Sequence, residues 1–592
     1  MNNVANRQYY QNEMDYLVNL GKAYREEHQS LSNQFLWIGQ PGKDPDVERL
    51  IQGFAFLTGA VRQKLDDEYS ELTQSLLSTL WPNCLQPVPA MSILEFTPGR
   101  TVRAKTRIAG WSADKGLSEA AEVASIDKNG KRCRFRSCYP VDLYPLVLQD
   151  AQSEPDGGVL RLDFRVLNNA NHLHIDSLRL FLHSETLLDS FALYRGLCAK
   201  PVSMSLRHEE SAGRRQVALE QAKIVPAGFN EAALPYPLTV FPGHRVLQEY
   251  FAFPEKFMFI DIQGIGKIPE GIDAFSLVID MKDSAVVIPP VDKSSFRLFC
   301  TPVINLHPCR GRSFDIDHKK MEYPVRPDPA GGAEGDYIVH SVVSVKGPGG
   351  VEFAPYASRV GGRPEAKHRA YQLNRRLRDD RLDTYIRFSA LLMDNALAET
   401  VSLEVLCINH GLPDLIKPGD IAHPTDDSPH GLATYKNITR VTRPIMPPLD
   451  SRLDWRLLSN LTFNHCSLED NSLDVKALRQ ILDVYNFAAA HDDNESDRLK
   501  NLLDRIVSIK TRTERDVFRG IPVHGFRTTV LVDKSRFQSE GEVYFFGSVL
   551  NAFFALLAPI NCFHKTTLKD KNSNENDKGY EWPVKIRKPP LD

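Results

Sequence analysis

The chain has 592 residues, 42% of them hydrophobic and 25% charged, and its 75 acidic and 72 basic residues leave a formal charge of −3. That length suits about three to five domains, the apolar fraction excludes wholesale disorder, and the near balance of charge gives no overall reason to expect nucleic acid or an anionic membrane as partner. Nine cysteines with no C-x-x-C pair read as reduced thiols of a cytoplasmic protein, and Met1 to Tyr10 carry no apolar signal core.

Tyr10, Met14, Leu17, Val18, Gly21 and Tyr24 fall at helical spacing. Asp44-Pro45-Asp46 then opens a longer helix, with Asp at the N-cap, Pro at the first helical position and acids near the positive end of the macrodipole. Val47, Leu50, Ile51, Phe54, Leu57, Val61 and Leu65 recur in steps of three and four, so they predict one apolar face, with Arg49, Gln52, Gln63, Asp66 and Asp67 opposite. Leu72, Leu76, Leu77 and Leu80 continue the stripe to Trp81-Pro82, where the proline ends the hydrogen-bond ladder. Residues 1–90 are therefore expected to form a helical bundle region containing one long amphipathic helix, or two in series. The ordinary fate of such a stripe is burial within its own domain.

After Pro89 the period changes from 3.6 to two. Alternation at 91–96, 134–136, 160–166 and 174–183, with Asn129-Gly130 and Asp156-Gly157-Gly158 as turns, predicts a β-rich domain over 91–235, interrupted by a short helix at 187–197. A proline-dense loop at 226–242 leads to a second β-rich domain over 236–447, with strands at 257–262, 276–281, 296–299, 337–345, 384–392 and 398–407. Residues 346–381 are rich in glycine and then in arginine, which reads as a mobile basic insertion on the surface of that domain. A loop-rich stretch at 413–448 is the expected boundary to a C-terminal α+β domain over 448–592. There, 455–463 alternates, 475–485 and 499–507 are expected helices, 523–532 an expected strand, and the residues after Lys565 a flexible polar tail. The fold class expected is α+β and multidomain, with sandwich-like middle domains. Residues 543–563 approach the roughly 20 apolar residues of a membrane span, but Gly547, Ser548, Asn551, Pro559 and Asn561 favour a helix buried in protein.

No reaction centre emerges. Gly264-Ile265-Gly266 lacks the third glycine of a dinucleotide loop, and there is no G-x-x-x-x-G-K-[ST], G-x-S-x-G or H-E-x-x-H. Asp315, Asp317 and His318 would need an irregular strand to converge on a metal, His172 and His174 lack a second ligand pair, and Asp66, Asp67 and Glu68 diverge around a helix. Asp379, Asp380 and Asp383 partly neutralise the arginines at 359–381, which argues against nucleic-acid binding. No catalytic, metal or cofactor residue is assigned.

The run 44–50 with Gly53-Phe54-Ala55-Phe56-Leu57, Lys64-Leu65-Asp66-Asp67-Glu68 and Glu71-Leu72-Thr73 resembles the TssF family, a baseplate subunit of the bacterial type VI secretion system. The likeness continues through Pro242-Gly243-His244-Arg245-Val246-Leu247-Gln248-Glu249-Tyr250-Phe251-Ala252-Phe253-Pro254-Glu255-Lys256-Phe257, Cys300-Thr301-Pro302-Val303-Ile304-Asn305-Leu306 and Glu322-Tyr323-Pro324-Val325. It also takes in Cys407-Ile408-Asn409, Trp455-Arg456-Leu457-Leu458 and Gly547-Ser548-Val549-Leu550-Asn551, with a departure at His410-Gly411. The resemblance implies a structural subunit, without catalysis or cofactor, like the wedge proteins of contractile phage baseplates. Two copies with one TssG would form a wedge engaging TssE and TssK around the VgrG spike, in the cytoplasm and recruited to the inner-membrane-anchored apparatus, without membrane insertion or nucleic acid. Leu17, Phe54, Leu57, Val61 and Leu65 are then the candidate subunit interface. The competing readings are a metal-dependent hydrolase and a nucleic-acid adaptor.

Overall fold

The computed structural model describes residues 10–20 and 45–586 apart from internal segments, the longest being 357–368, 389–398, 450–474 and 486–503. Helix α1 covers 10–20. Helix α2, Pro45–Leu80, is one unbroken element of 36 residues, about 54 Å long at 1.5 Å per residue. It stops where expected, at Trp81, and a 3-10 turn follows at Pro82–Leu85. The start signal at Asp44 and the side chains of Val47, Leu65 and Leu72 lie outside the described residues. Arg62 of α2 pairs with Glu13 of α1.

Three antiparallel sheets make the centre. The first has the order 421–423, 122–125, 134–137, 300–304, 91–98, 433–437; the second 213–218, 203–210, 274–280, 159–166, 146–153; the third 223–227, 259–267, 174–182, 296–298. The border expected at 235/236 therefore runs through all three sheets. The pairing of Met91 with Ile304 and of Phe96 with Tyr435 shows how far apart in sequence the partners lie. The expected boundary loop at 413–448 likewise contributes two strands to the first sheet, because short strands flanked by proline and glycine do not stand out from turns. At Phe299 the chain passes from the third sheet to the first with φ +55°, a left-handed backbone on a buried ring.

Residues 307–409, between the strands Cys300–Ile304 and Ile421–His423, form a β-sandwich of two four-stranded sheets. Its own core includes Ile316, Tyr323, Val345, Phe353, Tyr371, Ile386 and Val401. The expected basic insertion is corrected here. Ala370–Arg378 is a strand in a hairpin with Arg381–Phe388, while 357–368 lies outside the described residues. Two of its arginines are bound by acids remote in sequence: Arg369 by Glu399, and Arg376 by Glu322. Arginine stems pack along a sheet when a carboxylate receives the head, and sequence neighbours do not reveal that carboxylate.

Helices α3 (Leu187–Cys198) and α4 (Pro242–Ala252) pack on the C-terminal unit. There α5, Val475–Asp483, is helical as expected, and it lies beside a hairpin, Ile506–Phe518 with Ile521–Val532. Helix α6, Glu540–Leu557, then crosses over to Phe563–Asp570, which runs parallel to the second hairpin strand. Ile506 and Val507 open a strand, so the helix expected to end there does not include them; 499–503 and 455–463 lie outside the described residues. The tail is corrected too: Phe563–Asp570, Tyr580–Glu581 and Lys585–Ile586 belong to the sheet, and Trp582 is buried on α6. Helix α6 is buried in protein, with Phe545 stacked on Phe191 at 4.6 Å. Among the described residues no helix is long and apolar enough to cross a membrane.

Candidate functional site

Of the apolar face expected on the first part of α2, Ile51 is half-buried and the other described members are turned to solvent. Leu50, Phe54, Leu57 and Val61, spaced four, three and four apart, are 64, 65, 64 and 58% exposed. The opposite face carries the small residues Ala55 and Gly59, and these are buried, on the side where Arg62 meets Glu13. On α1, Leu17 is half-buried while Tyr16 and Leu20 are exposed. Fully burying one such large side chain stabilises by about 1.5–3 kcal/mol, so covering the exposed parts of these four would be worth on the order of 5 kcal/mol.

The other end of α2 is fixed to the body. The Gln74 side chain accepts from Arg375 N–H and donates to Arg375 C=O, both at 3.0 Å, as a neighbouring strand would. The Arg375 guanidinium is itself buried and donates to the carbonyls of Leu85 and His340, and burial lowers its pKa to about 10. Leu77 packs with Leu85 and Leu449. Trp81 stacks on His244 of α4 at 4.7 Å, and the imidazole is hydrogen-bonded to the Tyr485 hydroxyl. Burial takes the pKa of His244 down to about 3, so the ring is neutral. Helix α2 is thus anchored at one end and presents its apolar stripe along the other.

The 242–257 motif forms a lock behind that anchor. Pro242 stands at the start of α4, where its missing N–H is not needed. Seven residues after Glu249 the chain returns Lys256, and both side chains are 0% exposed. Glu249 Oε1 accepts from the N–H groups of Ala233 (2.8 Å) and Leu234 (2.9 Å), and its Oε2 is paired with Lys256, whose ammonium also donates to the Glu231 carbonyl at 3.0 Å. Burial lowers the lysine pKa and the carboxylate opposes that shift. Arg179, bidentate to Asp261 and bonded to Glu231, closes the network. Sequence reasoning missed this pair; the available signal was two opposite charges inside an apolar motif. With both groups wholly buried, their role is to pin the 228–234 loop to α4.

Among the described residues, those weighed for chemistry do not converge. Asp315 accepts from Thr400 and Asp317 from the Tyr323 hydroxyl, while His318 and His172 lie outside the described residues. His174 pairs with the exposed Asp176. Among the described residues no three His, Cys, Asp or Glu side chains are grouped to hold a metal. Gly264 and Gly266, at φ +82° and +81°, form an irregularity in the strand Phe259–Lys267, with no helix start beyond them to receive a phosphate.

The model of the family described as "Type VI secretion system, TssF" matches residues 3–588. The chain is 27% identical to the type VI secretion system component TssF1 of Pseudomonas aeruginosa, over 98% of both chains. It is similar to a chain in the cryo-electron-microscopy structure of the type VI secretion system TssK-TssF-TssG baseplate subcomplex, with TM-score 0.71 and 27% identity over 90% of this chain and 99% of that one. The fold also matches a chain of the type VI secretion system baseplate complex at TM-score 0.58 and 21% identity, over 99% of this chain and 100% of that one. The stripe, the anchor and the lock thus belong to a chain that is a member, over nearly its whole length, of the TssF family of type VI secretion system baseplate subunits.

Proposed function

We propose that the outward stripe of α2 is an assembly surface, through which this non-catalytic subunit builds the baseplate wedge. Phe54, Leu57 and Val61, with Leu65 and with Leu17 from α1, act as knobs in a helical bundle shared with TssG and a second copy of the chain. TssK, TssE and the VgrG spike are the further partners, and the wedge works on the cytoplasmic side of the inner-membrane-anchored apparatus. The observation that carries this reading is the outward orientation of four large apolar side chains on a helix whose small-residue face is the buried one. It is supported by the printed composition of the subcomplex that holds the similar chain, TssK, TssF and TssG. The competing readings gain no observation: Asp315 and Asp317 are engaged separately, and Arg369 and Arg376 are paired within the sandwich.

The test is co-purification with TssG. The double variant Leu57→Glu, Val61→Glu is expected to lose TssG by at least about thirtyfold in affinity, the equivalent of one lost apolar anchor of roughly 2 kcal/mol. Hydrogen exchange over 91–449 should stay unchanged, because exposed substitutions move stability by at most about 0.5 kcal/mol. Undiminished retention of TssG by this variant would remove the assignment.

A further inference from the structure

The sandwich 307–409 is joined to the first central sheet by the segments that enter it at 304–307 and leave it at 409–421. These two segments meet at one crossing. The Asn305 side chain donates to the Asn409 side chain and accepts from the Asn409 N–H, both at 2.8 Å, and it also donates to the Arg134 carbonyl. Both asparagines are buried. Beside the crossing Lys131 pairs with Asp336 at 2.6 Å, and Gly411 turns at φ +68°, in the left-handed region. Tyr371, Ile386 and Val401 belong to the sandwich's own core, whereas Ile338, Leu382 and Ile408 pack into the main one. A unit with its own core, carried on two segments that cross at one point, is built to turn about that point. Helix α2 bridges the two bodies. Its C-terminal end belongs to the centre, where Trp81 stacks on His244, Asn83 donates to the Pro235 carbonyl at 3.0 Å, and Val88 bridges to Ile445. Gln74, seven residues before Trp81 and about 10 Å from it along the axis, is tied instead to Arg375 of the sandwich. The stripe lies beyond that tie, with Leu57 about 36 Å and Leu50 about 46 Å from Trp81.

We propose that α2 is a lever with which the sandwich aims the assembly stripe. Trp81 and His244 are the fulcrum, the tie between Gln74 and Arg375 is where the sandwich drives the helix, and Leu50 to Val61 are the load. The proposal rests on the stripe being the assembly surface. Because α2 is unbroken from Pro45 to Leu80, displacement grows in proportion to distance from the fulcrum. The Arg375 guanidinium also donates to the carbonyls of Leu85 in the centre and His340 in the sandwich, so the stroke at the tie is held to the scale of shear between packed elements, about 1–2 Å. A shift of about 1 Å there moves Leu57 by about 3–4 Å and Leu50 by about 4–5 Å. Interdigitated side chains do not absorb displacements of that size. A small turn of the sandwich about the Asn305 crossing therefore decides whether the stripe meets its partner, and by linkage a partner seated on the stripe biases the sandwich. Gln74 and Arg375 act as positioning residues, since neither belongs to the stripe.

The test uses the full chain without TssG, so that failure of the lever and failure of TssG binding are read separately. Nitroxides on p-acetylphenylalanine, which spare the native thiols, are placed at the exposed positions Gln52 of α2 and Arg378 of the sandwich. Each is paired with a nitroxide at one of two exposed central positions, Lys436 or Glu220, and the distance distributions are measured by double electron–electron resonance. Asn305→Ala opens the crossing, and the distributions to Arg378 and to Gln52 are both expected to widen. Gln52 lies about four times as far from the fulcrum as Gln74, so the widening at Gln52 is expected to be at least about threefold that at Arg378. A smaller ratio, or no widening at either site, overturns the lever. Gln74→Ala cuts the tie while the crossing stays intact, and it decides the matter by itself should Asn305→Ala unfold the sandwich. The distributions to Gln52 are expected to widen by at least about twofold while those to Arg378 keep their wild-type width. Unchanged distributions to Gln52 in that variant overturn the role of the tie.

Discussion

Removing one member of the Glu249–Lys256 pair is expected to free the 228–234 loop from α4. Both side chains are 0% exposed, and the carboxylate holds the N–H groups of Ala233 and Leu234 as well as the ammonium. In Lys256→Met the carboxylate stays buried, with two backbone donors and with Arg245 Nε at 3.9 Å as its remaining cation. Breaking a buried pair costs about 3–5 kcal/mol, and these residual donors place this variant near the lower end. In Glu249→Gln the amide oxygen keeps both backbone donors, but the ammonium is left with the Glu231 carbonyl alone; the cost is about 4 kcal/mol, whether the lysine stays charged or gives up its proton. The double variant Glu249→Gln, Lys256→Met removes both charges and is expected to recover about 2–3 kcal/mol relative to the sum of the singles. In a chain of several cores a single unfolding free energy is not defined, so the assay is hydrogen exchange at the amides of Ala233 and Leu234. Protection there should fall in each single variant and return in the double. Singles with wild-type protection, or a double no better than the additive expectation, would refute the lock.

Three further outcomes follow from buried groups elsewhere. His244, His340 and His564 are held neutral by burial, with pKa values of about 3. The unfolded chain takes up their protons from about pH 6.5, so the stability they carry is complete above that pH and is lost as pH falls toward 3; at pH 5 each removes about 2 kcal/mol. Urea midpoints that coincide at pH 7.5 and 5 would contradict this. Gln74→Ala leaves the Arg375 N–H and C=O without their side-chain partner, at a cost of about 2–3 kcal/mol; exchange should rise at 73–80 and stay unchanged in the strand Met91–Pro98. Trp582→Ala empties the space beside Gly547, where an added Cβ would lie 2.1 Å from the indole, and removes the hydrogen bond to Ser548. The expected loss is about 3–5 kcal/mol, read as faster exchange along α6, and an unaffected α6 would mean that the C-terminal strands are dispensable.

The sequence by itself determined the local elements and the family. The stripe from Leu50 to Val61 sets a helical period, Pro82 ends it, and the alternation at 159–166 sets a strand, because these depend on side-chain spacing along one segment. The amides and the proline within 543–563 were enough to argue for a helix buried in protein, and Glu540–Leu557 is one. Only the tertiary structure decided what each face meets. Periodicity records that a face is apolar and is the same whether its cover is the chain's own core or another subunit, so the outward turn of Phe54 and Leu57 was not legible in the spacing, and only the family resemblance raised it. Strand partners such as Met91 and Ile304, the acids that hold Arg369 and Arg376, the seat of Trp582 and the closure of Lys256 on Glu249 are contacts between segments whose spacing in the chain carries no trace of their meeting. What joins them is the free energy of burial and of pairing buried charge, and both depend on three-dimensional neighbours.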